Sequence, residues 1–335
     1  MLKKILVGFV GLVAVLAVVG LLLPRQSHVE RSITIARPAS LIYATVSSFQ
    51  RYSTWSPWAD RDPNMEQVIA GPRSGVGARM SWSGNKKVGT GSQVITAVID
   101  NQSVSSDLDF GDMGRSKAAF KLRPAGGATT KVTWTLDSDM GAGPIGRFFG
   151  LAMDRMVGAD FVRGLSKLKA VVEALSDTDI AGLNVETIDM QAEPILFVTK
   201  TTTTDSAAIS KAYAQGYAQI GKYLAKHKLK QSGAPQGIDR AMTASSFSFD
   251  AALPVDRDDT LPEGNVQVRH SYAGKALQTV HVGAYDSLGR TREKMAAYLA
   301  ANAYQSNGPT ISKYLDDPAS TPVEKLRTEM YWPIK

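Results

Sequence analysis

The sequence predicts an α+β protein made of an N-terminal transmembrane helix, a helix-grip domain and a second domain built from a duplicated β-α-β-β unit. Three observations predict it. An unbroken apolar stretch opens the chain at Ile5–Leu23. Short strand-like runs separated by glycine turns then lead into one long helical stripe ending at Leu175. After residue 185 the order strand, helix, strand, strand occurs twice.

Composition narrows the function classes. A chain of 335 residues holds two or three domains, and an apolar fraction of 44% is ordinary for globular protein. The net charge of +7 is small for this length. Its densest cationic group, Lys222, Lys226, Lys228 and Lys230 with His227, suits the solvated end of a helix. No recognition-helix pattern accompanies it, so no nucleic-acid partner is expected. The absence of cysteine excludes disulfides, thiolate metal sites, a cysteine nucleophile and a lipoprotein anchor. Neither a metal site nor a cofactor is expected.

The first element, Ile5–Leu23, carries no charged residue and is closed by Pro24 and Arg25. As a helix it spans about 28 Å, close to a bilayer core. Lys3 and Lys4 favour a cytoplasmic N-terminus. The remaining domains would then lie on the external, periplasmic side of a cell inner membrane, behind a single-pass anchor. A cleaved signal peptide is the rival, but its apolar region is usually shorter, and Leu21-Leu22-Leu23 runs on past Gly20.

The first domain is expected over 27–176. Val29–Ala36 alternates with Ile33 and Ile35 inward, and Pro38-Ala-Ser-Leu opens a short helix. The loop Trp55-Ser-Pro-Trp58 follows. Strand-like runs at 78–83, 92–99, 103–110, 116–122 and 131–136 form an antiparallel meander. Phe149, Met153, Val157, Phe161, Leu165, Leu168, Val172 and Leu175 then make one helical stripe. A sheet wrapped around such a helix leaves a cavity between them. Trp55, Trp58, Trp82 and Trp134 could line it or fill the core.

The motifs Ser32-Ile-Thr-Ile-Ala-Arg-Pro-Ala-Ser, Trp55-Ser-Pro-Trp58, Gly75-Val-Gly-Ala, Thr133-Trp134, Met156-Val-Gly-Ala-Asp-Phe and Gly164-Leu-Ser-Lys-Leu-Lys-Ala, in this order, resemble the polyketide cyclase/dehydrase branch of the START-like (SRPBCC) superfamily. The resemblance implies an apolar ligand cavity and leaves chemistry open, since members range from cyclases to lipid carriers.

A polar linker, 177–184, separates this domain from the second, 185–335. Here Ile188–Thr201 reads as a strand, and Ile209, Tyr213, Tyr217, Ile220 and Leu224 as a helical stripe. Runs at 242–249 and 266–270 read as strands. The second half repeats the order with a strand at 276–282, a helix carrying Leu288, Met295, Tyr298 and Leu299, a strand at 310–315 and the terminal strand. Paired edge to edge, the halves give one sheet with both helices on one face. In the last strand Glu329, Tyr331 and Pro333 alternate with Met330, Trp332 and Ile334. Glu329 beside a phenol would suit the floor of a pocket for a cationic or polar-aromatic molecule; a solvated carboxylate on an ordinary final strand is the other reading.

His281-Val-Gly-Ala-Tyr285-Asp-Ser-Leu, Tyr298-Leu-Ala-Ala-Asn, Tyr314-Leu-Asp-Asp-Pro-Ala-Ser-Thr-Pro and Leu326-Arg-Thr-Glu-Met-Tyr-Trp-Pro-Ile resemble the GyrI-like, or transcription-activator effector-binding, domain. The resemblance implies a small-molecule pocket with an acidic residue among aromatics. It points to Glu329 and Tyr285, with Tyr331, Trp332 and Tyr272 around them. Members often carry an acid two positions before the Tyr of the Tyr-Leu-Asp-Asp-Pro motif; here that position is Ser312, which weakens the case for a cation. His281 reads as a polar strand-end cap or as a base, and some members hydrolyse reactive molecules with a pocket Glu and Tyr.

The expectation is a membrane-anchored binding protein with two pockets for apolar or amphipathic molecules. An enzyme, cyclase-like in the first domain or hydrolase-like in the second, is the alternative, followed by an interaction module without ligand.

Overall fold

The computed structural model describes residues 2–257, 259 and 261–335, with side chains from residue 5 onward. Lys3 and Lys4, which carry the expected orientation, lie outside the described side chains. By chain contacts the molecule divides into two compact units, Met1–Ala181 with Ala296–Ala303, and Gly182–Met295 with Tyr304–Lys335.

The first unit begins with α1 (Leu2–Leu22), whose window Ile5–Leu22 is long and apolar enough to cross a membrane. Then come β1 (Gln26–Ile35), α2 (Ala39–Val46), the single turn α3 (Tyr52–Trp55), β2 (Glu66–Ala70), β3 (Arg79–Ser83), β4 (Thr90–Ile99), β5 (Ser103–Asp109), β6 (Arg115–Pro124), β7 (Thr130–Asp139) and α4 (Pro144–Glu173). The strands form one antiparallel sheet in the order β1-β7-β6-β5-β4-β3-β2. Its edge strand β2 is almost wholly exposed, so it lacks the alternation that would betray it in sequence. The stripe on α4 is buried at Phe161, Leu165, Leu168 and Val172 against the sheet. Gly164 lets that helix approach closely: a Cβ there would lie 2.8 Å from Trp134 Cζ3 and 3.0 Å from Pro57 Cδ.

The second unit contains β8 (Glu186–Met190), β9 (Pro194–Thr202), α5 (Ser206–His227), β10 (Gln236–Met242), β11 (Phe247–Pro254), β12 (Gln267–His270), β13 (Gly274–Val282), the first half of α6 (Leu288–Ala301, of which the part from Ala296 is grouped with the first unit), β14 (Ile311–Tyr314) and β15 (Arg327–Pro333). Asp205 caps α5 by accepting from the Ala208 N–H at 2.9 Å. The sheet order is β12-β9-β11-β10-β14-β15-β13-β8. The two repeats therefore meet at the β10–β14 pair.

Two strand readings change. The run 188–201 is two strands, β8 and β9, broken at 191–193, and they pair with different partners, β13 and β9's neighbour β11. The run 242–249 straddles a hairpin: β10 ends at Met242 and β11 begins at Phe247, with the Thr243 N–H bonded to Ser246 O at 2.8 Å. That turn, Thr243-Ala-Ser-Ser, contains neither glycine nor proline, so nothing punctuates it in sequence.

Candidate ligand-binding sites

In the first unit the space between sheet and α4 is a cavity of about 630 Å³. Its wall is aromatic and thioether-rich. Trp55, Trp58, Trp82 and Trp134 all line it. Trp134 is sandwiched between Phe161 (ring centroids 3.9 Å) and Phe120 (5.0 Å), while Trp55 meets Trp134 edge-on at 5.7 Å. The indoles are therefore core and cavity wall at once. The Trp55 N–H is buried without a protein hydrogen-bond partner. Burial pushes the Tyr52 phenol up to about 12, so it stays a neutral donor. The serines at the far wall satisfy one another, Ser116 Oγ lying 2.7 Å from Ser138 Oγ. The wall holds no histidine, and its one carboxylate, Asp139, is paired with Arg25 at 2.7 Å.

In the second unit the predicted residues fall on opposite faces of the sheet. Register decides this. Tyr331 lies across from Ile311 and Glu329 from Lys313, whereas Thr328 lies across from Tyr314. Paired residues share a face. Glu329, Tyr331 and Tyr272 thus belong to the face away from the helices, where Tyr272 and Tyr331 join one cluster. The Tyr331 hydroxyl donates to Glu329 in a short bond, and burial followed by that carboxylate pushes the phenol well up. Lys313 sits 5.6 Å from the Tyr331 ring centroid and 3.0 Å from Glu193. Glu329 is therefore already engaged.

Tyr285 and Trp332 belong to the helix face. Tyr285 meets Tyr314 edge-on at 5.2 Å, and Tyr314 meets Tyr213 of α5 at 5.8 Å. The pairing of Glu329 with Tyr285 expected from the sequence is thus not formed; strand alternation places them on opposite sides. Gly237 of β10 makes room for the tyrosines, since a Cβ there would lie 2.3 Å from the Tyr213 hydroxyl and 2.9 Å from that of Tyr314.

Two charged residues on this face were missed. Asp239 of β10 and Arg292 of α6 form an ion pair at 3.3 Å, and Arg292 also reaches Ser312 Oγ at 3.5 Å. Burial raises the Asp239 carboxyl, against the pull of Arg292. Asp239 Oδ1 and Thr328 Oγ1 are buried without partners. The sequence held one signal: Arg292 interrupts the apolar stripe between Leu288 and Met295.

His281 lines an open depression of about 610 Å³ along β13 and the start of α6. Its Nδ1 lies 2.8 Å from Thr291 Oγ1 and its Nε2 3.0 Å from Ser287 Oγ, with Ala284 O at 3.3 Å. Burial first, then Arg290 and Arg292, hold it below its ordinary value. Hydroxyls, not a carboxylate, orient the ring, which fits a cap better than a catalytic base. Among the described residues no group of three or more metal-ligating side chains occurs.

Comparison with known proteins matches each half separately. Residues 26–173 match the model described as polyketide cyclase / dehydrase and lipid transport, and residues 183–335 the model described as GyrI-like small molecule binding domain. No curated protein matches the chain. Among solved structures, the C-terminal domain of EcmrR is similar at 16–17% identity: its crystal structure gives a TM-score of 0.41, covering 46% of this chain and 98% of that one. An EcmrR–DNA complex gives 0.42 at 16% identity, covering 56% and 72%. A START superfamily protein from Mycobacterium smegmatis gives 0.34 at 19% identity, covering 45% and 99%. One segment of the chain thus matches the polyketide cyclase / dehydrase and lipid transport model and the following segment the GyrI-like small molecule binding model.

Proposed function

We propose that the protein is a membrane-anchored binding protein that holds an apolar or amphipathic small molecule in the cavity of its first domain. In this reading α1 is a single-pass anchor in the inner membrane with a cytoplasmic N-terminus. Domains 27–176 and 185–335, joined by 177–184, lie outside, away from nucleic acid. The observation that carries the reading is the cavity wall. About 630 Å³ is an ordinary volume for a small-molecule site. Indole faces and flexible methionines adapt to varied apolar shapes. The free Trp55 N–H and the neutral Tyr52 phenol offer anchoring donors for one polar group. A wall without histidine or a carboxylate pair favours binding over cyclisation or hydrolysis.

The test uses the full chain in lipid nanodiscs. Four of its five tryptophans line the cavity, so an entering ligand should change their emission. Neutral polycyclic aromatics and fatty acids should do so, and Tyr285→Ala should not alter the response. A response confined to lipophilic cations would overturn the reading.

For the second domain we infer that the tyrosine face of Tyr285, Tyr314 and Tyr213 receives a neutral aromatic molecule. Arg292 neutralises Asp239 there, so no carboxylate is left over for a cation. Titration with tetraphenylphosphonium should show weak binding that strengthens in Arg292→Met. Strong binding by the unaltered protein would contradict the inference.

A further inference from the structure

We propose that the first turns of α4 lie in the bilayer interface beside the end of α1, so that two helices seat the first domain on the membrane surface. This rests on the anchor part of the reading above and adds a second membrane-contacting surface.

Contacts along the chain fix the level of these turns. The apolar window Ile5–Leu22, at 1.5 Å per residue, is about 27 Å long, so Gly20 and Leu22 reach the edge of the hydrocarbon. The helix α4 starts at that level. Gly20 is buried against Pro144 and Phe148, with no room for a Cβ. From there α4 runs away from α1 alongside β1. Ser27 Oγ donates to Gly150 O at 3.2 Å, and Lys169 Nζ to Thr34 O at 2.7 Å. Residues 144–150 therefore stand between the levels of Gly20 and Ser27, where the chain passes from hydrocarbon to headgroups.

The chemistry of these turns suits that level. Ile145 is 74% exposed, Phe149 62% and Leu151 61%. Arg147 is the only charged residue between Pro144 and Met153. It reaches toward α1, donating to Leu23 O at 3.1 Å and to Leu21 O. A membrane helix ends in carbonyls without intrahelical partners, and where water is scarce another group must satisfy them. Arg147 does so, with the charge sign that suits a helix C-terminus. Charges resume one turn further on. Asp154 is paired with Arg31 at 2.8 Å, and Arg155 is exposed, placing a cation at headgroup height. A helical turn with exposed apolar side chains and no solvated charge calls for a cover. Continuity with α1 makes that cover the bilayer, at the depth where apolar helix faces insert.

The chain contains no cysteine, so single labels can be placed by substitution. The full chain is reconstituted in phosphatidylcholine vesicles with the fluorophore NBD on one of four substitutions. Two are Ile145→Cys and Leu151→Cys; neither residue lines the cavity, so both labels report the outer surface. The third is Val13→Cys, midway along α1. The fourth is Ala128→Cys in the β6–β7 turn, at the end of β7 remote from the start of β1. Lipid spin-labelled near the headgroup should remove most of the emission at Ile145→Cys and Leu151→Cys. Lipid spin-labelled near the chain end should remove most of that at Val13→Cys, and neither should affect Ala128→Cys. Quenching at Val13→Cys without quenching at either α4 site overturns the seat and leaves the anchor standing. Blue-shifted but unquenched α4 probes also overturn it, since protein, such as a second copy of the chain, then covers these turns. Equal quenching at Ala128→Cys overturns it too, because lipid contact would not be particular to α4. Absence of quenching at Val13→Cys overturns the anchor and the seat together.

Discussion

The two domains use aromatic residues in opposite ways. In the first, a seven-stranded sheet curls around α4 and its indoles and phenyls touch mainly one another, leaving an apolar chamber. In the second, the faces of an eight-stranded sheet are lined mainly by tyrosines, with one tryptophan, Trp332, and with charges threaded between them: Asp239 with Arg292 on the helix face, and Asp250 held by Arg240, Arg269 and Thr199 on the other. A wall made mainly of indoles and phenyls suits partners by shape and apolar area. A wall of phenols beside a neutralised ion pair selects by hydrogen bonds. The difference teaches that two folds in one chain can present aromatic walls of different chemistry.

The largest expected effect breaks the first side of the comparison. Trp134→Ala removes the ring stacked between Phe120 and Phe161, and should cost about 3–5 kcal/mol in chemical denaturation while enlarging the chamber. Next, Arg292→Met leaves Asp239 without its cation on the second side. Both side chains keep some solvent, 29% and 22% exposed, so about 2 kcal/mol is expected rather than the larger loss of a dry pair. Gly164→Ala sharpens the contrast between packing and propensity. The helix gains up to about 1 kcal/mol from alanine, but the new methyl meets the rigid Trp134 and Pro57, so a net loss of about 1 kcal/mol is expected.

The smallest effect is in pH. His281 is held below its ordinary 6.5, so the folded state binds this proton less tightly than the unfolded chain. Its contribution to stability is complete above 6.5 and is lost as pH falls from there through the lower folded value. Melting temperatures followed downward from neutral pH should show a decline that His281→Gln reduces.

Much of the architecture was legible because it rests on periodicity. The α4 stripe and the repeated strand-helix order follow from spacing alone. Spacing could not tell a core-facing residue from a cavity rim, so Phe149 and Phe161 look alike in sequence, although one is exposed and the other buried. Nor could it give register. Glu329 and Tyr285 each lie in a recognisable motif, but only the pairing of β14 with β15 shows that they occupy opposite faces. Asp239 escaped notice because its strand was not recognised beside an unpunctuated turn.

The central claim is that the first domain's chamber, and not the second domain's tyrosine face, holds the apolar ligand. Thermal unfolding of the full chain with and without pyrene tests it most directly, in the unaltered protein, in Ala118→Trp, which fills the chamber, and in Tyr285→Ala. At a hundred times its dissociation constant the ligand should add about 2.7 kcal/mol of stability. That gain should disappear in Ala118→Trp and persist in Tyr285→Ala. A gain that survives the filled chamber, or that is lost with Tyr285, would contradict the account.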